Sequence, residues 1–101
     1  MSLTPQVFYI LLSLVQKPLH GYGIMLQVRE DSRGKISLGP GTLYGAIKRL
    51  AEDGLISEIK TRDSRRRFYR LTARGRSVFY SECDRLESMV KLVKKISPAY
   101  V

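Results

Sequence analysis

The sequence predicts a mainly α-helical fold with one small β-hairpin. Three observations carry that expectation. Apolar residues recur at helical spacing in four separate stretches. Two strand-like runs, LISEIKTR (55–62) and RRRFYRL (65–71), flank the polar pair Asp63-Ser64. The chain has 101 residues, 44% of them hydrophobic, which suffices for one small core but not for two.

Thr4 followed by Pro5 reads as the cap and first position of a helix over about 5–16, ended by Lys17-Pro18. This helix is apolar on nearly every side (Val7, Phe8, Ile10, Leu11, Leu14 and their neighbours), which is the pattern of a central element covered on more than one face. A second helix follows over about 21–31, with Tyr22 and Leu26 expected inward, joined by Ile24 and Met25. Ser32-Arg33-Gly34 ends it. Gly39-Pro40 suits the start of a third helix, over about 39–53. Leu43, Ala46, Ile47 and Leu50 share its inward face. Gly54 fits the position just past its end, where a left-handed backbone is free of steric cost. Gly41, Gly45, Lys48 and Glu52 point outward, with Tyr44 and Arg49 on the flanks, so the exposed face is nearly flat at its start and cationic further along.

In the hairpin, Ile56, Ile59, Leu71 and Phe68 or Tyr69 are expected on the core, while the tip projects as a charged finger. Thr72 then caps a last helix running to about residue 96. Its apolar positions Phe79, Cys83, Leu86, Val90, Val93 and Ile96 are spaced like a heptad seam. Such a helix is about 36 Å long, more than so small a domain can cover, and its far half needs a partner.

Charge narrows the function. The net charge is +9, and it is uneven: residues 1–54 carry six cations and four acids, residues 55–101 twelve and five. A basic region of that density suits a polyanion, nucleic acid before an anionic membrane. Residues 60–71 alone hold Lys60, Arg62, Arg65, Arg66, Arg67 and Arg70 against the single acid Asp63. Protecting a sheet edge from aggregation needs far fewer cations than that. The longest apolar run, residues 7–15, is too short to span a bilayer and lacks the flanks of a signal peptide. One cysteine, Cys83, permits no intramolecular disulfide and fits a reducing, cytoplasmic setting. Neither metal-ligand spacing nor a phosphate or dinucleotide glycine motif is present, and one His and one Cys among scattered acids make no catalytic constellation. No enzyme, metal or cofactor is expected. His20 reads as a structural cap and Cys83 as a small buried hydrophobe.

Helix, helix, flat-faced helix and charged hairpin is a winged helix-turn-helix order, in which the third helix enters the DNA major groove and the hairpin wing follows the backbone. The stretches HGYGIMLQV (20–28), GTLYGAIKRLAEDGLI (41–56) and RRRFYRLTARGR (65–76) also resemble the PadR family of bacterial transcriptional regulators, over nearly the whole chain. The resemblance implies a dimeric repressor with a winged-helix head (1–71) and a C-terminal dimerisation helix and tail (72–101). In many members it implies release from DNA by a small effector, here at the dimer interface. Residue 45 is Gly where that family often has Pro, the wing turn Asp63-Ser64-Arg65 departs from its common turn, and the chain has no tryptophan for an aromatic effector sandwich.

The residues expected at double-stranded DNA are Gly41, Thr42, Tyr44, Gly45, Lys48 and Arg49 on the helix, with Lys60, Arg62, Arg65, Arg66 and Arg67 on the wing. Those expected in a homodimer seam are Phe79, Cys83, Leu86, Val90 and Val93. A winged-helix protein-interaction module and a nonspecific chromosome-coating protein are the competing readings. Both would lack operator preference, and only the second would bind DNA with steep salt dependence.

Overall fold

The computed structural model describes residues 3–60, 62 and 65–100. Its elements are helix α1 (Pro5–Ser13), strand β1 (Leu19–His20), helices α2 (Gly21–Asp31) and α3 (Pro40–Glu52), strands β2 (Ile56–Ile59) and β3 (Phe68–Leu71), and helix α4 (Ala73–Ile96). A 3-10 turn, Pro98–Tyr100, follows. The sheet is antiparallel with β3 central: Ile56 pairs with Leu71 and Ile59 with Phe68 on one side, Leu19 with Tyr69 on the other.

Local chemistry sets the boundaries. The Thr4 hydroxyl accepts the Val7 amide at 3.2 Å, and Pro5 takes the first helical position. α1 ends at Ser13, three residues earlier than expected. The Ser13 hydroxyl donates to the Ile10 carbonyl at 2.6 Å, and Leu14 and Val15 donate to carbonyls three residues back, which tightens the chain out of the helix before Pro18 is reached. His20 caps α2 through Nδ1, which accepts the Gly23 amide at 3.0 Å. Gly54 has φ +76 and closes α3 as expected.

The core joins Ile10, Leu11 and Leu14 of α1, Ile24 and Val28 of α2, Leu43, Ile47 and Leu50 of α3, Leu55, Ile56, Tyr69 and Leu71 at the sheet, and Phe79 of α4. Here the expected phase of α2 is corrected. Tyr22 is 62% and Leu26 50% exposed, whereas Ile24 and Val28 are fully buried. Ile24 and Val28 stand four apart and share one face, and Tyr22 lies about 200° around the helix from Ile24. β1 is also new. Two residues carry no strand period, and only the pairing with β3 defines them. The hairpin strands are shorter than the runs that suggested them, and the expected turn at Asp63-Ser64 lies outside the described residues.

The seam expected on α4 is corrected at its start. Phe79 is 3% exposed and packs on Phe8 with ring centroids 4.9 Å apart, so it belongs to the core of its own chain. Cys83 is half-buried against the same core. Burial, then the charges of Asp84 and Glu82, push its thiol up, away from reactive thiolate. From Asp84 onward every residue of α4 is exposed, including Leu86, Met89, Val90, Val93 and Ile96.

Besides Phe79, two further groups of contacts hold α4 to the head. Thr72 caps α4 by accepting the Gly75 amide at 2.9 Å, while its hydroxyl donates to the Gly54 carbonyl at 2.6 Å and its amide to Leu55 at 3.1 Å. Gly75 then lies directly on the Leu55 backbone. A Cβ there would overlap the Leu55 carbonyl oxygen and stand 2.8 Å from its carbon. Second, buried Glu82 takes the Leu3 amide at 3.0 Å and both arms of Arg85 at 2.7 and 2.9 Å.

Gly75→Ala tests the first contact. Alanine gains roughly 1 kcal/mol of helix propensity, but backbone cannot yield as a side-chain tip can, and overpacking of this kind costs about 3 kcal/mol. The expected result is a net loss of about 2 kcal/mol or more in urea unfolding; an unchanged or higher midpoint would show that the two backbones are not in contact. Glu82 gives a pH test. The Arg85 side chain, then the Leu3 amide, lower its pKa from the ordinary 4.5 to about 2. A carboxylate depressed in the folded state stabilises fully above its unfolded value and loses that contribution as pH falls through the folded one. Glu82→Gln should therefore unfold more easily than the parent near neutral pH, with the gap closing between pH 4.5 and about 2. A gap that is constant with pH would contradict the ion pair.

Candidate nucleic-acid interface

α3 presents the face that the sequence suggested. Gly41, Thr42, Tyr44, Gly45, Lys48 and Arg49 are all exposed while Leu43, Ile47 and Leu50 are buried beneath them. A Cβ at Gly41 or Gly45 would meet nothing within 4 Å. No packing inside the chain asks for a glycine at either place. The bare backbone at the start of α3 faces outward.

The wing stands beside this face. Lys60, Arg62, Arg65, Arg66 and Arg67 are exposed. Arg67 approaches Glu58 across the hairpin at 3.4 Å, with the two side chains 75% and 47% exposed. An ion pair so exposed adds little to stability. Below, Tyr69 is buried, and burial followed by the Glu58 charge raises its pKa, which keeps the phenol protonated.

The structure brings Tyr44 together with Arg65, Arg66 and Arg67 around one cleft of about 340 Å³, whose remaining wall is His20, Gly21 and Tyr22 at the start of α2. Lys48, Arg49, Lys60 and Arg62 do not line it. Tyr44 reaches across to Gly21: a Cβ on residue 21 would overlap the Tyr44 hydroxyl. The His20 ring lies nearly parallel to that of Tyr22 and edge-on to Phe68, so the cap, the helix start and the wing base are in register. His20, Gly21 and Tyr22 are the part of the site that the sequence did not suggest. The four-residue spacing of Ile24 and Val28 was the available signal, since it turns Tyr22 outward. Among the described residues no group of three or more His, Cys, Asp or Glu side chains is placed to hold a metal, and no helix is long and apolar enough to cross a membrane.

A basic, aromatic-edged face on a winged helix is the surface of a nucleic-acid-binding regulator, and comparison with known proteins gives the class. The profile described as "Transcriptional regulator PadR-like family" matches residues 10–81, and the chain belongs to that family, a family of regulators and not of enzymes. Transcriptional regulator Rv3488 of Mycobacterium tuberculosis is 36% identical over 87 residues, covering 84% of this chain and 78% of that protein. An uncharacterized 37.1 kDa protein in transposon TN4556 of Streptomyces fradiae is 34% identical over 87 residues, 86% of this chain; the chain spans 24% of that protein's length. Among solved structures, a PadR family transcription regulator from Clostridium difficile R20291 superposes with a TM-score of 0.78 at 28% identity, covering 92% of this chain and 98% of that one. Bacillus subtilis PadR, solved in complex with operator DNA, shares the fold with a TM-score of 0.65 at 24% identity, over 74% of this chain and 44% of that one.

The bare face of α3 makes a stability prediction. Glycine inside a helix costs roughly 0.5–1 kcal/mol relative to alanine, and nothing at residue 45 opposes a methyl group. Gly45→Ala should raise the unfolding free energy by about that amount; a fall of the same size would mean that this face is packed against the chain itself.

Proposed function

We propose that the chain is a homodimeric, DNA-binding repressor that reads an inverted-repeat operator with α3 in the major groove and the wing along the flanking backbone. The observation that carries this reading is the common cleft of Tyr44, Arg65, Arg66 and Arg67, where α3 and the wing share one cationic surface. The glycines of α3 support it, because a helix that must lie against DNA gains from having no side chains at its first outward turns. Bacillus subtilis PadR, which has the same fold, was solved on operator DNA. Arginine on the wing suits phosphate or a narrow minor groove; Tyr44, Lys48 and Arg49 on the exposed face of α3 suit base edges as well as backbone.

Support for the dimer comes from the far half of α4. Leu86, Met89, Val90, Val93 and Ile96 are between 36% and 71% exposed. With Tyr100, the first four line an apolar cleft of about 240 Å³. A contiguous apolar surface of this kind marks an interface. A second copy would cover it, and the same apolar wall suits a small effector held between copies. A protein of this function works in the cytoplasm.

The wing is the part to test. Replacing Arg65, Arg66 and Arg67 together by alanine should leave folding intact, since all three are exposed. Duplex affinity should fall for every sequence, and the slope of log affinity against log salt should flatten by about 0.9 for each arginine that neutralises a phosphate. Unchanged affinity and slope in fluorescence anisotropy would remove the wing from the interface.

A further inference from the structure

We propose that the cleft between the start of α2 and the wing is a seat for one phosphate with its attached sugar, and that Tyr44 reaches it only because residue 21 has no side chain. This rests on the DNA-binding reading and adds to it three residues, His20, Gly21 and Tyr22, that belong to neither the recognition helix nor the wing.

The chemistry of the walls is one-sided. Arg65, Arg66 and Arg67 bring guanidinium groups, whose planar donor sets match phosphate oxygens. Tyr22 and Tyr44 bring phenols that are 62% and 50% exposed. Among the described residues no carboxylate lines the cleft. His20 lines the cleft too. Its Nδ1 is occupied as acceptor of the Gly23 amide at 3.0 Å, which leaves Nε2 as the ring nitrogen able to donate to a ligand. The N-terminal end of an eleven-residue helix adds its partial positive charge at Gly21.

Size selects the ligand. At about 340 Å³ the cleft sits at the small end of the range for ligand pockets, roughly 300–1,000 Å³, and has room for more than a lone ion. A sugar-phosphate unit fits that description, and it can come from a DNA backbone or from a free nucleotide. Continuity with α3 through Tyr44 and with the wing through its arginines argues for the DNA backbone as the source.

Gly21 is the hinge of the arrangement. A Cβ there would stand 2.8 Å from the Tyr44 ring carbon that bears the hydroxyl. The obstacle is the tip of a side chain and not backbone, so Gly21→Ala turns Tyr44 away without breaking the fold.

The test is nitrogen-15 NMR of the full chain, following the amides of Gly21, Tyr22 and Gly23 while a short random-sequence duplex, AMP or inorganic phosphate is added. The duplex should shift all three amides. Shifts with the duplex alone assign the seat to backbone phosphate; shifts with AMP as well, but not with inorganic phosphate, show that a free nucleotide can occupy the same seat. Either supports the proposal. A duplex that binds, by anisotropy, and leaves the three amides unmoved overturns it while leaving the DNA-binding reading standing, whereas a duplex that does not bind at all sinks both. Tyr22→Phe, which removes only an exposed hydroxyl, and Gly21→Ala should each weaken duplex binding about tenfold, the worth of one charge-assisted hydrogen bond. In a Tyr44→Ala background the Gly21→Ala effect should vanish. A Gly21→Ala protein that binds like the parent would show that Tyr44 does not depend on the bare position.

Discussion

Gly75 packs closely on the Leu55 backbone, and the rest of the geometry depends on that contact. Three elements meet there. Gly54-Leu55 is the exit of α3 and the entry to β2, and Thr72 is the exit of β3 and the cap of α4. The Thr72 hydroxyl and amide bond to Gly54 and Leu55, and Gly75 lets the first turn of α4 rest on the same carbonyl. The direction of the long helix is thereby tied to the end of α3 and to both strands of the wing. In a small domain with limited apolar area, a few backbone contacts of this kind are an economical way to hold one rigid angle.

That rigidity matters because the two ends of the molecule do different chemistry. One end is wet, cationic and bare, with little of its own packing at stake. The other is an apolar helix surface that stands clear of the head, in a molecule 54 Å long and 28 by 21 Å across. In the proposed dimer the apolar end fixes the separation of two heads, and the backbone junction transmits that separation to the recognition helices. The buried Glu82 group holds the first half of α4 to the N-terminal segment, so the free arm begins only beyond Cys83.

Much of this was legible in the sequence. The caps Thr4, His20 and Thr72, the glycine after α3, and the exposed face of α3 follow from residue chemistry within four positions. What was not legible depends on contacts between distant segments. β1 exists only as a partner of β3. Phe79 looks like the first residue of a seam in the spacing of α4, yet it is claimed by Phe8 across the chain. Tyr22 was misplaced because α2 has few apolar residues and two faces compete; the pair Ile24 and Val28 wins by burying fully in the core. The cleft at the interface joins residues more than forty positions apart, and no local pattern could have shown that Gly21 and Tyr44 touch.

In the proposed dimer one junction per chain sets two α3 helices at a fixed span on DNA. Selection of bound duplexes from a random pool by the purified protein measures that span. The expected outcome is enrichment of a two-fold inverted repeat whose half-site centres lie about one helical turn, or ~10 base pairs, apart, bound by two copies of the chain. Enrichment of a single asymmetric half-site bound by one copy, or no enrichment over the starting pool, would contradict it.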